Sequence, residues 1–149
     1  MGGVKIKVFA AGKPALGYAK LGVEEYLKRL RRLGEVELVI VKAGEPEAVS
    51  KELLRRSEGC LRVALDERGK QGTTFDWVRA VEKWEMNGGV KAVAFLIGAS
   101  AGHTEALRRE CQEVWGMSAL TMQHELALLV FLEQIYRVYA MKAGVPYHR

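Results

Sequence analysis

Hydrophobic and polar positions along the chain follow two rhythms, short runs rich in β-branched residues and longer stretches of helical period. Residues 4–10 alternate as Val4, Lys5, Ile6, Lys7 and Val8, which predicts a strand, and Ala11-Gly12-Lys13-Pro14 breaks it. Leu16, Ala19, Val23, Tyr26, Leu27, Leu30 and Leu33 then recur three and four residues apart, the apolar face of a helix with Gly34 suited to its C-terminal stop. Residues 36–41 predict a second strand, 46–56 a second helix with a charged outer face, and 61–65 a third strand ended by Asp66-Glu67-Arg68-Gly69-Lys70. Thr73 or Thr74 can cap the next helix, whose inner face is Phe75, Val78, Val81 and Trp84, and Asn87-Gly88-Gly89 closes it. Residues 90–97 are apolar apart from Lys91, the mark of a central strand covered on both faces. A loop at 98–102, a helix at 105–114, a short strand or extended segment at 117–122 and a last helix near 125–142 complete the pattern.

Strand and helix thus alternate about five times, which predicts an α/β protein with a mostly parallel sheet flanked by helices. No internal repeat or low-complexity linker divides the chain, so residues 1–149 are expected to form a single domain. The last helix is apolar nearly all round at residues 126–132, and such a helix must be covered on every side. A terminal helix usually packs on an outer face, so a second copy of the chain is expected to supply the cover. That expectation is a homodimer through the C-terminal helix, with Leu126, Leu129, Val130 and Phe131 buried and some of them buried only by the partner.

Composition narrows the class. With 49% hydrophobic and 28% charged residues, the chain is neither a disordered tail, nor a collagen-like repeat, nor a disulfide-rich secreted scaffold. No apolar stretch approaches the roughly 20 residues of a membrane span, and no signal core opens the chain. A cytoplasmic location is expected, without a membrane partner. The net charge of +5 is compatible with a polyanionic partner. Lys28, Arg29, Arg31 and Arg32 form one basic cluster; no carboxylate side chain follows Glu133, whereas Arg137, Lys142, His148 and Arg149 do. These two patches either face RNA or are solvated helix ends.

Several segments have the residue types that chemistry requires. The small residues from Gly98 to Gly102 follow a buried strand and precede a helix, where a backbone can approach a ligand and an adenosyl group fits without clash. Their spacing is neither GxGxxG nor GxxxxGK[ST], so no nucleotide-phosphate cradle is indicated. His103 adjoins this loop, His124 opens the apolar helix and His148 lies near the end of the sequence. None has metal-ligand spacing, and neither Cys60 nor Cys111 neighbours a histidine, so no metal is expected. Asp66 and Glu67 are acid–base groups, metal ligands or, most commonly for such a pair, a solvated turn, and Glu133, Tyr136 and Arg137 form a polar group amid apolar neighbours.

Taken in order, these pieces resemble a known family. Leu65-Asp66 with Gly69-Lys70, Phe95-Leu96-Ile97-Gly98 with Gly102, Ser118-Ala119-Leu120-Thr121-Met122 with His124, Glu133-Gln134-Ile135-Tyr136-Arg137 and Pro146-Tyr147-His148-Arg149 are similar to the RlmH family of SPOUT methyltransferases. The resemblance covers essentially the whole chain. It implies methylation of N3 of a pseudouridine in large-subunit (23S) ribosomal RNA with S-adenosylmethionine, and a homodimer formed through the last helix. It also implies a trefoil knot near the C-terminus, with the cofactor lined by Leu65, Gly98, Met117, Ser118, Ala119, Leu120, Thr121 and Met122. His124, Arg137, His148 and Arg149 are the candidate catalytic residues: either His124 or His148 manages the proton or solvent removes it, and the arginines stabilise charge or bind phosphate.

The chain departs from the family's pattern at three positions: Ala99 replaces a second glycine, Gln123 a proline before the histidine, and Leu128 an arginine four residues after it. Those departures motivate the alternative, a diverged, catalytically weak or inactive RNA-binding dimer of the same fold.

Overall fold

Alternation along the first strand, β1 (Lys5–Ala11), divides the molecule into layers. Ile6, Val8 and Ala10 enter one hydrophobic core and Phe9 and Ala11 the other. The same division runs through β4 (Ala92–Ile97): Val93, Phe95 and Ile97 join the first core, Ala94 and Leu96 the second. The computed structural model describes residues 3–98 and 101–147, and in it β1, β2 (Val36–Val41), β3 (Leu61–Gln71), β4 and β5 (Glu113–Gly116) form one parallel sheet in the order β2-β1-β4-β3-β5. Helices α1 (Gly17–Leu30), α3 (Thr74–Met86) and α5 (His124–Ala143) cover one face, and α2 (Pro46–Arg56) and α4 (Glu105–Arg109) the other. This is the expected α/β class with a parallel sheet flanked by helices. No helix among the described residues is long and apolar enough to cross a membrane.

Local chemistry sets the helix boundaries. Thr73 caps α3 in a reciprocal box: its hydroxyl accepts from the Asp76 N–H at 3.2 Å, and the Asp76 carboxylate accepts from the Thr73 N–H at 2.8 Å. Trp77, Val81 and Trp84 form the inward stripe of α3. Phe75, expected on that stripe, is 62% exposed, because two helical positions separate it from Trp77 by about 200° of rotation. Gly34 also differs from expectation. Helix α1 ends at Leu30 and Gly34 is not left-handed; a Cβ there would lie 3.0 Å from the Tyr139 ring, so glycine admits that ring. Gly144 is the left-handed cap, ending α5 at φ 71°.

The region between β4 and α5 departs most from its hydrophobic pattern. The helix expected over 105–114 stops at Arg109, and the fifth strand is Glu113–Gly116, so residues 117–122 form a loop. Pairing with β3 overrides the helical period: the Gln112 N–H donates to the Arg62 carbonyl at 3.0 Å, while the Gln112 side-chain oxygen accepts from the Arg62 N–H at 2.7 Å. Trp115 then packs against Trp77, ring centroids 4.9 Å apart. Strand β3 continues past Leu65 to Gln71, but its pairing is interrupted; Trp115 is in register with both Leu65 and Lys70, and residues 66–69 bulge around it.

Helix α5 lies beside α1 and α3 on the sheet. Leu128, Phe131, Leu132, Ile135, Val138 and Tyr139 are buried within the chain, so the sheet and neighbouring helices already cover much of its apolar circumference. Leu129 and Val130 are half-buried and Leu126 is exposed. The Glu125 carboxylate accepts from the N–H groups of Ala15 and Leu16 at 2.7 and 2.9 Å, tying the start of α5 to the start of α1.

Candidate functional site

Parallel strands place all their carboxyl ends at one edge of the sheet, where ligands of α/β proteins bind. The segments following β4, interrupting β3 and following β5 come from three neighbouring strands, and they meet there. Between them lies a cleft of about 220 Å³. Its walls are Leu65, Asp66, Glu67 and Arg68; Ile97, Gly98, Ala101, Gly102 and His103; and Met117, Ser118, Leu120, Thr121, Met122, His124 and Ala127. Leu65, Gly98, Met117, Ser118, Leu120, Thr121 and Met122 therefore converge from positions up to 57 residues apart (122 − 65). Ala119 is exposed and does not line the cleft. The Thr121 hydroxyl donates to the Glu67 carboxylate at 2.8 Å and links two of the loops.

Glycine at position 98 relieves close packing. A Cβ there would lie 3.1 Å from both the Gly102 carbonyl carbon and His103 Nδ1. Gly102, at φ 86°, supplies the left-handed turn that brings His103 back under the strand end. His103 is buried, and its Nε2 lies 2.7 Å from the Leu96 carbonyl oxygen. Asp66 is not a solvated turn. Its side chain is 4% exposed, and Arg68 donates to both carboxylate oxygens at 2.8 and 2.9 Å. The Arg68 side chain, helped by its backbone N–H, holds the Asp66 carboxyl below its ordinary value, so this group is an anchored anion rather than an acid. Arg108 donates to the His103 carbonyl at 3.0 Å and stands 3.8 Å from Asp66.

His124 stands at the rim, on the first turn of α5. Gln123 is the N-cap: its side-chain oxygen accepts from the N–H groups of Glu125 and Leu126 at 2.9 and 3.0 Å. That orientation leaves its amide nitrogen facing His124 Nδ1 at 3.2 Å. An amide N–H can only donate, so Nδ1 is the acceptor and a neutral His124 carries its hydrogen on Nε2. Gln123 has φ −60°, the angle proline would impose, and so retains that backbone while adding a cap.

Arg137 lies elsewhere. It is 13 residues along α5 from His124, about 20 Å at the helical rise, and is ion-paired with Glu133 at 2.6 Å. Tyr147 joins it there. The Tyr147 hydroxyl donates to Glu133 at 3.1 Å and lies 3.1 Å from the Tyr26 hydroxyl, its ring is edge-on to Tyr136, and Arg137 sits over that ring at 4.5 Å. Arg29 lies over the rings of Tyr26 and Tyr136, so one residue of each basic cluster, Arg29 and Arg137, joins the same group of tyrosines. His148, Arg149 and Ala99 lie outside the described residues. Leu128 is 2% exposed in the core. Two features of the cleft are illegible in the pattern of the chain: the return of His103 under β4 and the pairing of Asp66 with Arg68 and Arg108. Both depend on the turn at Gly102 and the bulge at 66–69.

Other chemistries find little support. Burial pushes the Cys111 thiol up to about 11, which keeps it protonated at neutral pH. Among the described residues no group of three or more His, Cys, Asp or Glu is arranged to hold a metal ion.

Comparison with known proteins agrees with this geometry. A family model described as predicted SPOUT methyltransferase matches residues 4–148. The chain is 48% identical over 146 residues to Ribosomal RNA large subunit methyltransferase H of Thermus thermophilus, covering 98% of this chain and 99% of that protein. It is 40% identical over 147 residues to the protein of the same name from Deinococcus deserti, covering 98% of this chain and all of that one, 100%. Among solved structures, a probable methyltransferase from Bordetella pertussis Tohama I superposes with a TM-score of 0.62 at 16% identity, covering 91% of this chain and 95% of that one, and shares the fold.

Proposed function

The chain belongs to the SPOUT methyltransferase family, and from that premise we propose that it methylates N3 of a pseudouridine in large-subunit ribosomal RNA, using S-adenosylmethionine, as a homodimer in the cytoplasm. The observation that carries this reading is the convergence of the 65–68, 97–103 and 117–124 segments on one cleft at the strand ends. The full-length likeness to proteins named for methylation of large-subunit ribosomal RNA supplies the substrate class.

The residues present suit the cofactor. Leu65, Ile97, Met117, Leu120 and Met122 offer apolar walls for an adenine ring and a thioether chain, while Gly98, Ala101, Gly102 and Ser118 keep those walls thin. At Gly98 a Cβ would press on the loop at 3.1 Å, and its absence keeps the backbone open to the cleft. The bulge of 66–69 around Trp115 is packed tightly on β5: a Cβ at Gly69 would lie 2.6 Å from the Val114 carbonyl carbon.

When bound, S-adenosylmethionine supplies a methyl group already activated on a sulfonium, so the protein has mainly to position and to stabilise charge. The target N3 must lose its proton, which leaves negative charge on the flanking carbonyl oxygens. His124, at the rim, offers Nε2–H as a donor suited to that charge; one such donor is typically worth about 3 kcal/mol. Because Gln123 occupies Nδ1, the neutral ring has no free lone pair for the N3 proton, and the proton passes to solvent.

Arg137, about 20 Å along α5 from His124, serves the cleft of the partner in this reading, together with His148 and Arg149. Support for a dimer comes from Leu16, Tyr18, Leu21 and Leu126, exposed by 41, 50, 71 and 36% where the starts of α1 and α5 are tied together. The basic cluster of Lys28, Arg29, Arg31 and Arg32 suits a phosphate backbone. The test is transfer of labelled methyl to ribosomes that lack the modification, with the product nucleoside identified by mass spectrometry. Label on N3 of a pseudouridine is expected; no incorporation, or label on another atom, overturns the reading.

A further inference from the structure

One polar atom of the cleft has no role in the mechanism above. His103 is 6% exposed, and its Nδ1 is buried without a hydrogen-bond partner among the described residues. Its other nitrogen is committed. The Leu96 carbonyl, 2.7 Å from Nε2, can only accept, so Nε2 carries the hydrogen. Burial pushes the imidazole below its ordinary value, so the ring is neutral at pH 7 and Nδ1 is left as a bare acceptor. A buried acceptor without a donor is destabilising, and groups of this kind are normally satisfied by protein, water or ligand.

Position identifies the ligand. Nδ1 lies 3.1 Å from where a Cβ of Gly98 would stand, just behind the part of the cleft wall that Gly98 and His103 form, so a side chain at 98 would crowd this atom. The charges around it narrow the donor. Beside His103 stand the positive charges of Arg68 and Arg108 and the negative charge of Asp66, while Glu67, the second carboxylate of the cleft, is held by the Thr121 hydroxyl. A ligand ammonium is disfavoured there, whereas an uncharged N–H or O–H is not. We infer that His103 Nδ1 accepts a hydrogen bond from a neutral donor on the nucleoside half of the cofactor, either the adenine amine or a ribose hydroxyl. His103 is then a specificity-determining contact that distinguishes an intact adenosyl group from analogues lacking that donor. The inference rests on the proposed use of S-adenosylmethionine.

The two ring nitrogens can be separated by substitution. Asparagine places its side-chain oxygen near the position of Nδ1 and loses the donor to Leu96; glutamine places an N–H near Nε2 and loses the acceptor. Affinity for S-adenosylhomocysteine, measured by calorimetry on wild type, His103→Asn and His103→Gln, is paired with their melting temperatures. Analogues of that ligand lacking the adenine amine, the 2′-hydroxyl or the 3′-hydroxyl complete the set. His103→Gln should bind S-adenosylhomocysteine about tenfold more weakly at a nearly unchanged melting temperature, the effect of one buried hydrogen bond. His103→Asn should melt lower but keep most of its affinity. For one analogue alone, wild type and His103→Gln should bind equally, and that analogue identifies the donor. Unchanged binding in His103→Gln overturns the inference, as does an equal deficit for all ligands, which would mean that a water satisfies Nδ1. If wild type itself fails to bind S-adenosylhomocysteine, the proposed function falls rather than the assignment within it.

Discussion

Gly98 and Asp66 serve the cleft by opposite means, one through the side chain it lacks and the other through the ion pair it forms. At Gly98 even one carbon would crowd Gly102 and His103 at 3.1 Å, and a branched side chain would fill the space beside them. Gly98→Val should therefore lower affinity for S-adenosylhomocysteine on the order of a hundredfold in calorimetry; undiminished binding would remove Gly98 from the cofactor wall. Asp66 titrates lower in the folded chain than its ordinary value of 3.8, through Arg68. The unfolded chain then binds the proton more readily, so the ion pair contributes stability that is present above about pH 4 and lost as pH falls through the folded value. Melting curves of wild type and Asp66→Asn should be separated at pH 7 and converge below pH 4. A gap that does not narrow would mean that Asp66 acts through packing alone.

At the scale of elements, the junction of β3 with β5 is the least tolerant of added volume. Gly69 has backbone of Val114 and Trp115 within 2.7 Å of where its Cβ would be, and backbone cannot swing aside as a side-chain end can. Gly69→Ala should destabilise the fold by about 1–3 kcal/mol in urea denaturation, the range for forced overpacking. Gly59→Ala is the useful contrast: its Cβ meets nothing within 4 Å, but its φ of 86° strains alanine. Hydrogen exchange should place the Gly69→Ala loss in residues 65–71 and 113–116. Helix α4 shows the same dominance of tertiary pairing in another form. Its period continues past Arg109, yet the chain leaves the helix because Gln112 and Arg62 exchange two hydrogen bonds and Trp115 gains an aromatic pocket.

For the whole molecule, the central question is what meets the exposed apolar positions at the starts of α1 and α5. Leu21 is 71% exposed, so Leu21→Glu leaves the chain's own core untouched. Under the dimer reading, this variant should sediment as a folded monomer at micromolar concentration and lose methyl transfer; an unchanged dimer would mean that another surface pairs. The partition of the site between subunits has its own test. Mixing Gly98→Val with Arg137→Ala chains should restore about a quarter of wild-type methyl transfer, because half the dimers are mixed and each of these has one cleft with both partners intact. No recovery above the separate variants would return Arg137 to a role within its own chain.

Periodicity determined most of the architecture. The alternation of β1, the apolar run of β4, the Pro46 start of α2 and the Thr73–Asp76 box act over a few neighbouring residues, so each is visible in the chain itself. The glycine loop, the 117–122 stretch and His124 were legible as pieces of one site through the family resemblance, and all but Ala119 of the pocket residues line the cleft. Tertiary structure alone decided the rest, because it depends on contacts between residues far apart in sequence. It stopped α4 at Arg109, moved the fifth strand to 113–116, gave Gly34 to the Tyr139 ring, and buried Leu128 within its own chain. It also turned His103 under β4 with an unclaimed nitrogen facing Gly98. A hydrophobic pattern records which side of an element is buried; which atoms meet there is set by packing, where a few tenths of an ångström decide what fits.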